Sequence, residues 1–323
     1  MNAPLIVDGV TTSIRLDGQR HDVVRDISFQ VAARETLALV GESGCGKSMT
    51  ALSIMGLLPA GIASVSAGKI IVDGIDMVAA DETVRESVRG NRIGMIFQEP
   101  MTSLNPVLPI GFQVGEALMQ HQGLSRSAAR AKALDLLEHV RIPSAARRLD
   151  DYPHQFSGGM RQRVMIALAL ACGPKVLIAD EPTTALDVTI QRQVLALLAD
   201  LQAREGLAVL LITHNLGVVA SVADRVMVMY GGDVVESADV KDFFARPTHP
   251  YSVALLAAMP RIDATEGPQP IPGQVPSLDA MPSGCRFQSR CHLRQDVCST
   301  LPPLKPVAGN PGHQVRCWMR GDT

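Results

Sequence analysis

Thr36-Leu-Ala-Leu-Val-Gly41-Glu42-Ser43-Gly44-Cys45-Gly46-Lys47-Ser48-Met49 is the stretch that decides the fold. Residues 36–40 form a short apolar run of the kind buried in a sheet. Residues 41–48 fit G-x-x-x-x-G-K-S without a mismatch, and Met49 to Leu58 reads as a helix. Strand, loop and helix in that order is the context a phosphate-binding loop needs. Glycines let backbone N–H groups close on phosphate oxygens with no Cβ in the way. The helix N-terminus adds partial positive charge. Lys47 reaches the β- and γ-phosphates as a point charge, and the Ser48 hydroxyl suits Mg²⁺. Gly41 to Met49 are therefore the candidate contacts to a nucleoside triphosphate. Cys45 lies within this loop, where a thiol is either activated by the helix N-terminus or simply a small residue at a variable position. The second reading is the simpler one.

Three further strand ends carry polar groups. Val176-Leu-Ile-Ala179 is a buried-strand run that ends in Asp180-Glu181. If it lies parallel to the first strand in one sheet, Asp180 faces the phosphate loop and holds the Mg²⁺ shell. Glu181, one residue beyond, reaches the attacking water as general base. Gly206 to Thr213 is another buried run, closed by His214, a candidate γ-phosphate contact. Arg92 to Phe97 ends in Gln98, whose amide suits the Mg²⁺ and the water. A second helix start, Phe156-Ser157-Gly158-Gly159-Met160-Arg161-Gln162, opens a helix from Met160 to Ala171. Its free N–H groups point at an anion, yet no phosphate loop precedes it. The anion must come from elsewhere.

Read in order, these residues resemble the nucleotide-binding subunits of ABC transporters, over about residues 5 to 260. Gly41 to Ser48 is similar to Walker A, Gln98 to the Q-loop, and Val176 to Asp180 to Walker B with Glu181 as catalytic glutamate. Ser157 to Gln162 resembles the signature motif, with Phe156 where Leu is usual. Ala185-Leu186-Asp187 resembles the D-loop and His214 the H-loop. The resemblance implies a nucleotide sandwich in which Ser157, Gly158, Gly159 and Gln162 act in trans on ATP held by a second subunit. It also implies an adenine-stacking residue ahead of the loop, and His21 occupies the matching place. Phe97 to Pro106, His249-Pro-Tyr251 and Pro272 to Ser277 are similar to the oligopeptide, dipeptide and nickel importers.

Strands alternating with helices from about residue 5 to 236 give an α/β, RecA-like P-loop core. The segment from about 99 to 172 lacks clear strands and reads as an inserted helical subdomain. Within it Ser125 caps a helix over Arg126 to Val140, with Ala133, Leu134, Leu137 and Val140 on one face. Residues 1–259 are thus expected to form the ATPase domain. Residues 260–323 are expected to form a Pro-rich linker and a Cys-rich tail. The tail supplies no general base and no phosphate cradle, so it is expected to stand apart from hydrolysis.

At 323 residues and net charge −2, the chain lacks the basic excess of a nucleic-acid protein. It has no uncharged apolar run of about 18 residues and no signal-like N-terminus. The resemblance implies a peripheral subunit on the cytoplasmic face of a bacterial inner membrane. Its implied partners are two transmembrane permease subunits, a second ATPase subunit of paralogous sequence and, indirectly, an extracytoplasmic solute-binding protein. The reading is an ATPase for di- or oligopeptide uptake. The alternatives are a nickel or oligosaccharide importer and a soluble non-transport ABC ATPase.

Cys285, Cys291, Cys298 and Cys317 are separated by five, six and eighteen residues. Crowded cysteines in a cytosolic protein suggest a metal. The two- to four-residue spacing usual for zinc is absent, and four thiolates with wider gaps equally hold an iron–sulfur cluster. The resemblance favours [4Fe–4S], with Zn²⁺ as the alternative. His292 and His313 are expected to be bystanders.

Overall fold

The computed structural model describes residues 3–98, 103–184, 186–259, 267 and 269–320. Its strands are β1 (Leu5–Leu16), β2 (Gln19–Val31), β3 (Thr36–Val40), β4 (Ala63–Val72), β5 (Ile75–Asp76) and β6 (Ile93–Ile96). They continue as β7 (Val176–Asp180), β8 (Ala208–Ile212), β9 (Arg225–Tyr230), β10 (Asp233–Asp239), β11 (Lys305–Val307) and β12 (Asn310–Val315). The helices are α1 (Lys47–Met55), α2 (Glu82–Val88), α3 (Ile110–Gln122), α4 (Arg126–His139) and α5 (Ala145–Arg148). They continue as α6 (Gly158–Leu170), α7 (Val188–Glu205), α8 (Leu216–Val222), α9 (Val240–Ala245) and α10 (Pro250–Ala257). The α/β reading is borne out. The chain divides into two compact units.

The first unit comprises Met1–Ile6, Gln30–Glu35 and Ile71–Leu211. Its strands β6 and β7 run parallel, in register from Ile93↔Val176 to Ile96↔Ala179, and β7 neighbours β8. Every residue of β6, β7 and β8 is buried, which explains their unbroken apolar sequences. Between β6 and β7 the described residues form helices and no strand. Ser125 caps α4 by accepting from Ala128 N, and Leu118, Ala129 and Ala171 form a small helical core. Helices α6 and α7 approach closely at Gly159, where a Cβ would lie 2.6 Å from Ile190 Cγ2.

The second unit comprises Val7–Phe29, Thr36–Ile70 and Ile212–Thr323. Here β3 and β9 are parallel, in register from Leu37↔Arg225 to Val40↔Val228. β10 pairs antiparallel with β9, with a bulge between Val234 and Glu236, and β12 adds antiparallel to β10. β11 closes the edge on β12. A second sheet places β1 between β2 and β4. The core around β9 and β10 is aromatic: Tyr230, Tyr251, Phe243 and Phe287 are all buried. Tyr230 meets Tyr251 edge-on at 4.8 Å and Phe287 at 5.1 Å between ring centroids.

The Cys-bearing tail, expected as a small C-terminal extension, is joined to the rest of its unit. Its strand β12 pairs with β10, and its Phe287 belongs to the aromatic core. The physical reason is size: a segment of about 60 residues that buries little on its own gains by joining an existing sheet edge and core. Part of the expected linker, residues 260–266 and 268, lies outside the described residues.

Candidate functional site

The phosphate loop sits between β3 and α1 in the second unit. Gly46 is the N-cap of α1 at φ 106, and a Cβ there would come within 2.7 Å of Val23 O. Only glycine fits that backbone and that approach. Lys47 is buried, and its Nζ donates to Gly41 O at 2.8 Å and Glu42 O at 3.0 Å. The ammonium thus curls back on its own loop. Ser43, Gly44 and Ser48 are exposed and open to a ligand, while Met49 is half-buried. Cys45 is 1% exposed, and burial pushes its thiol pKa up. A protonated, buried thiol agrees with the small-residue reading rather than with a reactive one.

Two sequence-named residues lie in the same unit as this loop. Thr213 N donates to Leu39 O at 3.3 Å, so exposed His214 follows directly from a residue tied to β3 near its C-terminal end. His21 lies on β2, half-buried.

The first unit carries the acidic pair. Asp180 ends β7 and is 5% exposed. Glu181 turns off the strand at φ 48, a left-handed conformation uncommon for a residue with a side chain. Gln98 Nε2 donates to Glu181 Oε2 at 3.1 Å, and Thr184 Oγ1 donates to the same oxygen at 2.8 Å. The structure thus brings Gln98 and Glu181 together through the parallel pairing of β6 and β7.

The signature-like residues open α6. Ser157 Oγ accepts from Met160 N at 3.4 Å as N-cap, and Ser157 and Gly158 are exposed. Gln162 is not with them: it is 2% exposed and faces the interior of its unit. It lies one turn beyond Gly158 on the same side of α6 but is covered, whereas Ser157 and Gly158 sit at the open helix start. Asp187 Oδ1 accepts from Ile190 N at 2.9 Å and caps α7, while Ala185 lies outside the described residues.

The contacts that Arg290 and Tyr251 make with Glu42 escape a reading of the sequence. Arg290 reaches Glu42 with both ends of its guanidinium, Nη1 to Oε2 at 2.6 Å and Nη2 to Oε1 at 3.1 Å. Its Nε donates to Pro272 O at 2.8 Å. Tyr251 Oη accepts from Glu42 N at 2.9 Å. The bonds of Arg290 tie the tail, which is expected to stand apart from hydrolysis, to the residue that follows Gly41. No local signal announces them, because an arginine in a polar tail reads as a solvated charge.

All six cysteines are free. Cys285, Cys291, Cys298 and Cys317 line one small apolar pocket with Phe287 and Trp318. Burial raises the thiol pKa values of Cys285, Cys291 and Cys317, that of Cys285 to about 11. Among the described residues no group of three or more His, Cys, Asp or Glu is arranged to hold a metal ion. The donor set is right in kind for a four-thiolate cluster and converges, but it is not drawn in as a ligand shell. His313 is engaged elsewhere, with Nε2 2.7 Å from Glu236 Oε1.

A phosphate loop after β3 and an acidic pair after β7 define an ATP-binding cassette of the P-loop class. The ABC transporter family matches residues 24–184, and the oligopeptide/dipeptide transporter C-terminal region matches residues 235–298. The dipeptide transport ATP-binding protein DppD of Bacillus subtilis is 48% identical, covering 99% of this chain and 96% of its own length. The oligopeptide transport ATP-binding protein OppD of Salmonella typhimurium is 47% identical over 91% of this chain and 87% of its own. A solved dimeric structure of the ATP-binding cassette MJ0796 with ADP and phosphate is 28% identical. It covers 73% of this chain and 98% of its own, with a TM-score of 0.65. The chain belongs to the ABC transporter ATP-binding family, in the branch that carries the oligopeptide/dipeptide C-terminal region. No helix among the described residues is long and apolar enough to cross a membrane.

Proposed function

We propose that this chain is the ATP-hydrolysing subunit of an importer of di- or oligopeptides. It works on the cytoplasmic face of a bacterial inner membrane with two permease subunits and a second, paralogous ATPase. The observation that carries the hydrolytic part is Glu181, held at φ 48 beyond β7 with Gln98 and Thr184 on one carboxylate oxygen. The peptide part is supported by the C-terminal region matched over residues 235–298.

In this reading Lys47 leaves the carbonyls of Gly41 and Glu42 for the β- and γ-phosphates. The loop N–H groups hold the remaining phosphate oxygens, and His21 stacks on adenine. Ser48, Asp180 and Gln98 are assigned to Mg²⁺, which supplies positive charge against the triphosphate when bound. Glu181 takes a proton from water, and His214 contacts the γ-phosphate. Ser157, Gly158 and Gly159 act on the nucleotide of the second subunit, with Asp187 fixing the start of α7.

Cys285, Cys291, Cys298 and Cys317 are assigned to a [4Fe–4S] cluster, with Zn²⁺ as the alternative occupant. Their convergence on one apolar pocket supports this, and drawing in the thiolates is the movement it requires. The solute is tested in a strain lacking this chain. Loss of labelled di- or tripeptide uptake, restored by the parent gene and not by Lys47→Ala, is expected. Retained peptide uptake with loss of nickel or oligosaccharide uptake would replace the solute.

A further inference from the structure

We propose that Arg290 of the C-terminal tail is a positioning residue for the phosphate loop, neutralising Glu42 so that the loop accepts a polyanion. The inference rests on the nucleotide reading of Gly41 to Ser48.

Glu42 is the second residue of the loop, so its carboxylate adds negative charge beside the backbone read as the triphosphate cradle. Both of its oxygens are taken by Arg290, whose side chain is only 4% exposed. The guanidinium is held from several sides. It lies 5.7 Å from the Tyr230 ring centroid and 5.9 Å from that of Phe287. Its remaining donors go to the carbonyls of Pro272 and Ile271, at 2.8 Å and 3.4 Å, and to Tyr230 Oη at 3.4 Å. A planar fork buried on aromatics loses little entropy when it grips a carboxylate.

The backbone of Glu42 is fixed as well. Its N–H donates to Tyr251 Oη, and its carbonyl accepts from Lys47 Nζ. The phosphate-binding lysine thus rests on a residue whose side chain and N–H are held by the segment from residue 251 onward. A second tail arginine reinforces the tie: Arg286 Nη2 donates to Asp22 O at 3.2 Å, next to His21, and Nη1 donates to Gly231 O.

Removing Arg290 leaves Glu42 negative and mobile at the mouth of the loop. Removing both charges relieves the repulsion. That pattern separates charge neutralisation from mere loss of packing.

The test is equilibrium binding of trinitrophenyl-ATP with Mg²⁺ to the full-length chain, with the Tm recorded without nucleotide. Arg290→Ala is expected to weaken binding about tenfold, the scale of one uncompensated charge near a polyanion. Arg290→Lys keeps most of the affinity, and the double variant Arg290→Ala, Glu42→Gln regains most of what Arg290→Ala loses. Should the alanine variant fail to fold, Arg290→Gln carries the same expectation. Affinity within twofold of the parent for the single variant, or a double variant as weak as Arg290→Ala, would overturn the proposal. A parent protein that binds no nucleotide, or a Lys47→Ala variant that binds as the parent does, would instead overturn the reading of the loop.

Discussion

Gln98 Nε2 donates to Glu181 Oε2 at 3.1 Å across the ends of two parallel strands. The carboxylate so held belongs to a residue in left-handed backbone, a conformation that costs about 1–3 kcal/mol for a residue with a Cβ. Such strain persists where surrounding bonds over-determine it, and Gln98 and Thr184 provide those bonds. The neutral isostere Glu181→Gln keeps the shape and loses the base. Steady-state hydrolysis by the assembled transporter is expected to fall at least ~100-fold, with nucleotide binding retained. Near-parental turnover would remove Glu181 from that role.

Lys47 is expected to act on nucleotide binding. Its ammonium is buried on the carbonyls of Gly41 and Glu42, so in the free loop the cation rests on the loop itself. Lys47→Ala is expected to weaken nucleotide binding itself by about a hundredfold, the scale of losing a charge-assisted contact of 1.5–3 kcal/mol. Isothermal titration with MgATP checks this. A hydrolysis defect with full affinity would show that the lysine acts only later.

The loop, the acidic pair and the strands that carry them were legible because each is encoded within about 15 consecutive residues. Thr36 to Val40 is uniformly apolar because β3 is buried throughout, and the glycines that follow are demanded by backbone geometry at the same place. Caps were legible for the same reason: Ser125 satisfies N–H groups three residues away. Arg290 was not legible, since its partner Glu42 lies 248 residues earlier and no periodicity links them. The burial of Gln162 was not legible either, because a motif does not say which of its residues the fold covers. How the tail attaches was not legible, because β12 is short and polar and only its pairing with β10 and β11 makes it a strand.

Ser157 and Gly158 are exposed at the start of α6, which is the placement a trans contact requires. Ser157→Arg puts a bulky cation at that helix start. Hydrolysis in the assembled transporter is expected to be lost, while nucleotide binding by the isolated chain stays within about twofold, as for a change remote from the chain's own loop. Equal loss of binding in the isolated chain would place Ser157 in cis.

The cysteine pocket makes a redox and pH prediction. With Cys285 raised to about 11 by burial, its thiol is protonated at neutral pH and must lose its proton to bind metal. Metal loading in vitro is therefore expected to improve as pH rises from about 7 to 9, toward that range. Protein purified without oxygen is expected to be brown, with about four irons per chain. Cys298→Ser is expected to lose the colour. Colourless anaerobic protein with one zinc per chain would assign the pocket to the alternative occupant.

His249 gives a pH dependence of stability whose sign follows from its bonds. Its Nδ1 accepts from Tyr251 N at 3.1 Å as the N-cap of α10, so that nitrogen must carry no proton. Burial lowers its pKa from 6.5 to about 4, with nearby Glu236 opposing the shift. The folded chain therefore binds fewer protons at this site than the unfolded chain between those two values. The stabilisation is full above pH 6.5 and is lost as pH falls toward 4. Between pH 7 and pH 5 the site accounts for a loss of about 2 kcal/mol. His249→Asn keeps an acceptor for the Tyr251 N–H and does not titrate. Urea unfolding at the two pH values is expected to show a smaller loss for His249→Asn than for the parent, by about that amount, since all other titrating groups are common to both. Equal losses would mean that His249 enters the folded state already protonated, with Tyr251 N–H bonded elsewhere.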